Sequence, residues 1–245
     1  MNSDSVAEQF SSKNKIEAPQ TISKDFGSQR STERIVGVVA LGYAASMLVQ
    51  NALFAITGAP DYSRPLEEVL IYHVENRSAL AITFGLETMN MILLLFFITA
   101  LQGLVQRRGG EGADWSRLAV AAGSTLSALF AFTIATHIAV VLAATGMSEP
   151  SPAFELMWKL HAAAFALALP ALGVTFIGTA LATHVSGLTR PWQRMLGVAG
   201  GILPILAGFG NLAIADGAPL VFVGVLGMAM WLVWLVVTGL GFIRD

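Results

Sequence analysis

The segment PLVFVGVLGMAMWLVWLVVTGLGFI, residues 219–243, is the least ambiguous membrane span because it contains no charged residue. A helix needs roughly 20 apolar residues to cross a hydrocarbon core of about 30 Å. This segment meets that requirement, and five earlier segments meet it too. The six predicted spans cover residues of about 35–58, 78–105, 117–146, 153–184, 193–213 and 219–243. We therefore predict an all-α fold, a six-span transmembrane helical bundle.

The composition of the chain supports this prediction. Of its 245 residues, 55% are hydrophobic and only 12% are charged. A soluble domain carries about 25% charged residues because it must cover its surface with them. Most of this surface therefore cannot face water, which excludes a soluble enzyme and a nucleic-acid binder and makes the lipid bilayer the partner. The sequence has no cysteine, so disulfides, thiolate nucleophiles and iron–sulfur clusters are excluded as well.

The N-terminal residues differ in composition from the rest of the chain. Residues 1–33 are rich in serine, lysine, glutamate and glutamine and hold few large apolar side chains. Such a segment buries too little surface to offset its conformational entropy. We predict a disordered cytoplasmic tail over 1–33, followed by a six-helix transmembrane domain over 34–245.

The arginines of the short loops orient the bundle. Four of them fall on one side of the predicted membrane domain: Arg107, Arg108, Arg190 and Arg194. Positively charged loops stay on the cytoplasmic side. We therefore predict a multi-pass protein of a bacterial plasma (inner) membrane, with the N- and C-termini in the cytoplasm.

A few polar residues lie inside the predicted spans, where an ionisable group costs about 2.5–3.5 kcal/mol at the membrane centre. A rise of 1.5 Å per residue puts four of them in one layer, roughly 10–15 Å from the outer ends of their helices, and the fifth, Asn90, lies on the same helix face as Glu87 at i, i+3 spacing. The layer consists of Asn51, Glu87, Asn90, His137 and His161. A buried carboxyl group needs a partner. We expect Glu87 to hydrogen-bond with one of the two histidines or with an asparagine amide.

Three interpretations of this polar layer are open. It could be a structural network that fixes helix register, or a pathway for a proton or small solute. It could also hold haem or a metal ion, with His137 and His161 as axial ligands, or with both histidines and Glu87 as three metal ligands. No HxxxH or HExxH spacing supports a metal, and no nucleophile motif or phosphate loop indicates an enzyme. We predict a non-enzymatic protein without an assigned cofactor, whose layer handles a proton or small solute.

The longest predicted loop outside the tail is APDYSRPLEEVLIYHVENR, residues 59–77. Apolar residues at helical spacing in this loop predict a short amphipathic helix on the outer surface. We expect it to be an interfacial connector, the alternative being a cap over the polar layer. His73 is predicted to be solvated, near the other outer-loop residues Glu75, Asn76 and Arg77.

Small residues in the fifth predicted span suggest close helix packing. Gly197 and Gly201 form a GxxxG pair, a spacing that lets helices approach each other closely. This face would dock a second copy of the chain or a larger membrane complex, in which the protein would be an accessory subunit. Trp158 lies near the end of the fourth span and is predicted to be an interfacial anchor.

The first half of the chain resembles a known family. Three stretches, ERIVGVVALGYAA at 33–45, PDYSRPLEEV at 60–69 and ENRSALAITFGLETMNMILLLFFITALQGLVQRR at 75–108, are similar to the domain-of-unknown-function family 4386 of bacterial multi-pass proteins. The resemblance covers residues 33–108, and the positions that match its pattern are Glu75, Asn76, Arg77 and Glu87. It implies a helical membrane fold of six to seven spans and no established activity.

Overall fold

A computed structural model describes residues 20–244, with side chains from Arg30 onward. All regular elements in this part of the chain are helices, and no strand occurs in it. The helices are α1 (Gln20–Thr57), α2 (Leu66–Glu75), α3 (Arg77–Arg107), α4 (Ala113–Ala144), α5 (Pro152–Val185), α6 (Pro191–Phe209), α7 (Asn211–Ala215) and α8 (Val221–Arg244). The predicted all-α class is therefore confirmed.

Five helices are long and apolar enough to cross a membrane, namely α1 from Arg30 onward, α3, α4, α5 and α8. They correspond to five of the six predicted spans and agree with a multi-pass membrane protein. The remaining predicted span, 193–213, is divided between α6 and α7. The 19 residues of α6 begin with the polar sequence PWQR and end before Gly210. This segment is therefore less apolar, and shorter, than the sequence prediction assumed.

The helix α1 begins at Gln20, within the segment predicted to be disordered. No proline lies between Gln20 and Arg34, so α1 extends from the bundle towards the N-terminus without interruption. The rest of the predicted tail, residues 1–19, lies outside the described residues.

The bundle has two ends that loop contacts define. At the first end, the Arg108 guanidinium lies 2.6 Å from the Glu33 carboxylate, and Gly112 contacts the last turn of α5. At the second end, Gly217 contacts the Ser63 backbone, and α2 packs against α4 and α5. Only Asn76 separates α2 from α3, so these two helices are nearly continuous.

The helix α6 packs between α5 and α8 through small residues. A Cβ atom on Gly201 would lie 2.5 Å from the Gly173 carbonyl oxygen of α5, and one on Gly227 of α8 would lie 2.6 Å from the Gly200 oxygen. A Cβ atom on Gly197 would lie 2.5 Å from the Ala180 side chain. The face of Gly197 and Gly201 that we predicted to dock another chain is thus covered within this chain.

A stack of aromatic rings fills the space beside this interface. The Trp231 ring lies parallel to the rings of Phe176 and Trp234, with centre-to-centre distances of 4.2 and 4.4 Å. The edge of Phe97 on α3 meets both indoles. All four side chains are fully buried. This stack therefore links α3 and α5 to α8.

Candidate functional site

A cavity of about 390 Å³ lies towards the second end of the bundle. Its walls come from α1, α3, α4, α5 and α8, and residues of α2 and of the loop before it also line it. Most of the lining is apolar. The cavity brings together all five residues of the predicted polar layer: Asn51, Glu87, Asn90, His137 and His161. These five side chains therefore line one cavity.

The carboxyl group of Glu87 is held by amide side chains from two helices. Gln50 Nε2 donates a hydrogen bond to Glu87 Oε1 at 3.1 Å, and Asn90 Nδ2 donates to Gln50 Oε1 at 2.5 Å. These three residues form the amide–carboxyl chain. Asn90 Oδ1 is buried and accepts no hydrogen bond from the described residues. One wall of the cavity thus holds one buried acceptor that lacks a donor among the described residues.

The partner of Glu87 differs from the one we predicted. The expected partners were a histidine, Asn51 or Asn90, but the direct partner is Gln50. Adjacent residues on a helix point about 100° apart, so Gln50 and Asn51 cannot both face Glu87. Asn51 instead donates from Nδ2 to the Met47 carbonyl oxygen of its own helix, at 2.8 Å.

Three histidines from three helices form a second polar group, the histidine cluster of His73, His137 and His161. The Nε2 atoms of His73 and His137 are 3.1 Å apart. The rings of His137 and His161 stack with their centres 4.3 Å apart and an angle of 26° between their planes. All three side chains are buried.

Backbone carbonyls determine which ring nitrogen carries the hydrogen in two of these imidazoles when they are neutral. His73 Nδ1 is 2.6 Å from the Val69 oxygen, and His161 Nδ1 is 3.2 Å from the Thr133 oxygen. A carbonyl only accepts, so each Nδ1 carries hydrogen and each Nε2 is a free acceptor. His137 Nε2–H then donates to His73 Nε2, and the Tyr62 hydroxyl donates to His161 Nε2 at 3.4 Å.

The burial of His73 contradicts the prediction that this residue is solvated. Its side chain is only 1% exposed. The predicted amphipathic helix does form, as α2, but its apolar face with Val69 and Leu70 packs on α4 and α5. His73 follows Val69 by one helical turn and therefore points inward with it. Burial lowers the pKa of His73. The helix thus covers the cavity, as in the capping alternative, and is more than a connector.

The other three predicted outer-loop residues do not line the cavity. Glu75 is exposed at the end of α2, and Asn76 Nδ2 donates to the Tyr72 carbonyl oxygen at 3.1 Å. Arg77 Nη1 lies 3.4 Å from the Thr145 hydroxyl. These residues therefore form the turn between α2 and α3 and fasten it to the end of α4.

Two aromatic residues of the site were missed or misplaced by sequence reasoning. Trp158, predicted as an interfacial anchor, is only 6% exposed, and its ring lies 5.5 Å from the His161 ring. Its i, i+3 spacing to His161 was a signal for a shared face. Tyr62 contacts both rings from the loop before α2. Nothing in a loop sequence indicated where its side chain points.

A smaller, more polar cavity of about 230 Å³ adjoins the first and is called here the vestibule. It contains Asp61, Arg64 and Glu68, and it shares four lining residues with the main cavity, among them Asp61 and Tyr72. The hydroxyl and backbone N–H of Ser63 donate to Asp61, which lowers the pKa of this carboxyl group. The vestibule therefore carries a negative charge next to the main cavity.

The geometry does not favour the haem and metal alternatives. Axial ligation from opposite sides, at about 2 Å per bond, would keep two imidazole centres roughly 6 Å apart. The rings of His137 and His161 stack face to face at 4.3 Å, too close for an iron between them. Among residues 20–244, no three His, Asp or Glu side chains are arranged as a metal site, and Glu87 bonds to Gln50 instead.

Comparison with known proteins adds no relative. No protein-family model matches the chain, and no curated protein or solved structure matches it either. The resemblance to family 4386 therefore stays a prediction. The class that the observations define is a multi-pass helical membrane protein with an internal cavity lined by polar groups.

Proposed function

We propose that this chain is a six-span plasma-membrane protein, with both termini in the cytoplasm, whose outer cavity binds a small solute and conducts protons. The observation that carries the proposal is that one cavity contains both Glu87 and the histidine cluster. An ionisable residue buried among spans is costly and typically serves ion or proton movement. The cavity volume also lies within the range of about 300–1,000 Å³ that small-molecule sites occupy.

The six-span count is supported by the position of α6. This helix starts just after α5 ends at the first end of the bundle, and Gly217, just beyond α7, contacts Ser63 at the second end. The chain thus passes from one end to the other between residues 190 and 217. At 1.5 Å per residue, α6 alone is about 28 Å long, close to the hydrocarbon thickness of about 30 Å.

The orientation is supported by the arginines of the connecting segments. The first end of the bundle carries those after α3 and around the start of α6, whereas Arg64 and Arg77 lie near the second end. Cytoplasmic loops hold the excess of positive charge. The cavity and α2 would then face the outside of the cell.

Topology can be tested with single cysteines, since the chain has none of its own. In intact cells, a membrane-impermeant maleimide is expected to label Ser63→Cys and Pro219→Cys. Glu111→Cys should be labelled only after lysis. Labelling of Pro219→Cys only in lysed cells would contradict the six-span arrangement, and labelling of Glu111→Cys in intact cells would contradict the orientation.

The histidine cluster provides short distances for proton transfer within the cavity. A neutral imidazole accepts a proton on one nitrogen while it donates from the other. The Tyr62 hydroxyl donates a hydrogen bond to His161, and His137 donates one to His73 on α2. Together they line the same space as Glu87, so a proton that enters from the vestibule meets the cluster and the carboxyl group within one cavity.

Proton movement can be measured in liposomes that contain the purified protein and a pH-sensitive dye. With valinomycin and a potassium gradient as driving force, we expect the wild-type flux to exceed that of Glu87→Gln at least tenfold. The matched control is Glu67→Gln, which removes an exposed carboxyl group on the outer face of α2 and should keep the wild-type flux. Equal flux in wild type and Glu87→Gln would contradict the proposal.

A further inference from the structure

Resting on the proposed function, we propose that the solute is an organic ammonium ion with an apolar body. Its ammonium group would bind the Glu87 carboxylate and the free Asn90 oxygen. Its body would lie against the apolar and aromatic walls of the same cavity.

The first argument concerns hydrogen bonds. In the amide–carboxyl chain both amide groups already donate along the chain, from Asn90 to Gln50 and from Gln50 to Glu87. This direction leaves Asn90 Oδ1 as a buried acceptor without a donor from the described residues. An unsatisfied buried acceptor costs about 1–3 kcal/mol. The group that completes this wall is therefore a donor, and an ammonium group offers up to three N–H bonds.

The second argument concerns charge. The cavity lining contains Glu87 and, towards the vestibule, Asp61, but neither lysine nor arginine is among its described residues. The only arginine of the adjoining vestibule, Arg64, lies 3.5 Å from Glu68. An anionic solute would find no lysine or arginine to pair with among the described residues that line the main cavity. A cation would find an acidic entrance and a carboxylate further in.

The third argument concerns the apolar part of the solute. Aromatic rings of Tyr62, Trp158 and Phe165 line the cavity on the side of the histidine cluster. Methionine side chains Met91 and Met228 line it as well. Aromatic faces attract organic cations within about 6 Å, and methionine adapts to irregular shapes. This lining suits an aryl or alkyl body better than a hydrated metal ion.

Cation binding would release a proton from Glu87. In the proposed cycle, the Glu87 carboxyl group is protonated while the cavity is empty, because the mostly apolar lining disfavours its charged form. When the ammonium ion enters, the Glu87 carboxylic acid becomes a carboxylate paired with it, and the proton leaves to water in the vestibule. No bond of the ammonium ion changes. The other titratable side chains that line the cavity are the histidine cluster, Tyr43, Tyr62, Tyr72 and Asp61.

Binding can be measured on the full-length protein in detergent by isothermal titration calorimetry. The probe is 2-phenylethylammonium, with 2-phenylethanol as a neutral control of similar shape and 3-phenylpropanoate as an anionic one. We expect the ammonium probe to bind at least tenfold more tightly than either control. Its affinity should rise as the pH increases, by up to tenfold per pH unit, because a proton is displaced. Equal affinity for the ammonium and the alcohol would overturn the proposal.

Two variants locate the binding group. Glu87→Gln should weaken binding of the ammonium probe at least tenfold and remove its pH dependence, while any weak binding of the alcohol persists as evidence of an intact cavity. Asn90→Leu should weaken ammonium binding by a smaller factor. The control Glu67→Gln should bind like the wild type. Unchanged ammonium affinity in a folded Glu87→Gln protein, judged by its thermal unfolding, would also overturn the proposal.

This test separates the inference from the proposed function. If Glu87→Gln abolishes proton flux but no ammonium probe binds, the solute class is wrong and the proton pathway stands. If the ammonium probe binds at Glu87 but wild-type liposomes conduct no protons, the cavity is a cation site without proton movement through the membrane. The two failures therefore give different results.

Discussion

The helices of this bundle contact one another in two different ways. They pack closely at the interface of α6 with α5 and α8, and they leave a space between them at the cavity beside α1 and α3. Around α6, glycines let backbones touch, so that even one added methyl group would overlap a carbonyl oxygen. Around the cavity, amide, carboxyl and imidazole groups extend from the helices into a space of about 390 Å³. Both regions belong to the same bundle and share α5 and α8.

The two regions serve different purposes, since the α6 interface stabilises the bundle and the cavity holds the candidate functional site. Without a hydrophobic driving force between spans, close van der Waals packing holds helices together in lipid. The α6 interface provides such packing, whereas the helices around the cavity lack these van der Waals contacts with one another. The cavity must then satisfy its polar groups through cross-helix hydrogen bonds or through a bound molecule. Three sets of variants test this difference.

The largest effect is expected at the aromatic stack. Trp231→Ala would leave a void in the packed region and should lower the free energy of unfolding by about 3–5 kcal/mol. Trp231→Phe keeps a ring in the stack and removes an indole N–H that has no partner among the described residues, so its cost should be smaller. Unfolding by titration with SDS measures both.

A control for this set is Trp192→Ala, which truncates a tryptophan that is 48% exposed at the start of α6. We expect it to change the free energy of unfolding by no more than about 0.5 kcal/mol. If Trp192→Ala and Trp231→Ala were equally destabilising, the aromatic stack would not be the packed region described above.

An intermediate effect is expected from adding a single methyl group to the α6 interface. In Gly201→Ala the new Cβ atom would lie 2.5 Å from the Gly173 oxygen, and two backbones would have to separate. Overpacking of this kind costs typically about 1–3 kcal/mol. Thermal unfolding followed by tryptophan fluorescence should show a lower midpoint for this variant than for the wild type.

Two matched substitutions frame this prediction. Gly42→Ala adds the same methyl group to α1 where no heavy atom lies within 4 Å, and it should stabilise the helix by about 0.5–1 kcal/mol. Ser127→Leu adds atoms to the cavity wall and should be tolerated because space is present. A similar loss of stability in Gly201→Ala and Ser127→Leu would abolish the contrast between the two regions.

The smallest effect is expected from the pH dependence of the cap. Burial lowers the pKa of His73 below its ordinary value of 6.5. A detached α2 therefore binds a proton that the docked helix does not, and docking weakens as the pH falls below about 6.5. Between pH 7.5 and 5.5 the detached population should rise about tenfold, since one unit below 6.5 corresponds to about 1.4 kcal/mol.

This opening can be followed by the maleimide reactivity of Val69→Cys, a position on the buried face of α2. The rate is divided by that of the exposed Ser63→Cys at each pH, which removes the intrinsic pH dependence of thiol reactivity. The relative rate should rise towards acidic pH and should become independent of pH when His73→Phe is added. A pH-dependent ratio that persists in His73→Phe would contradict the role of His73.

Counting along the apolar spans gives the position of a residue along its helix but not the direction of its side chain. The residues selected by counting, among them Glu87, Asn90 and His137, all line one cavity. Direction depends on how each helix is rotated against its neighbours. That rotation made Gln50 and not Asn51 the partner of Glu87. It is decided by packing that no single span reveals.

Contacts between distant elements were the other part that sequence reasoning could not supply. A histidine in a loop looks solvated until the loop helix is known to dock, as α2 does over His73. In the same way, the face of Gly197 and Gly201 looked free until α5 and α8 were placed on either side of it. Its partners come from the same chain, which a local motif does not show.

The single-residue link at Asn76 has a mechanical consequence for the molecule. The cap α2 ends at Glu75, and the helix that carries Glu87 starts at Arg77. A change in the tilt of α2 would therefore occur at Asn76. The neighbouring residue Arg77 contacts Thr145 at the end of α4. Glu87 thus lies about three helical turns beyond the link that joins its helix to α2.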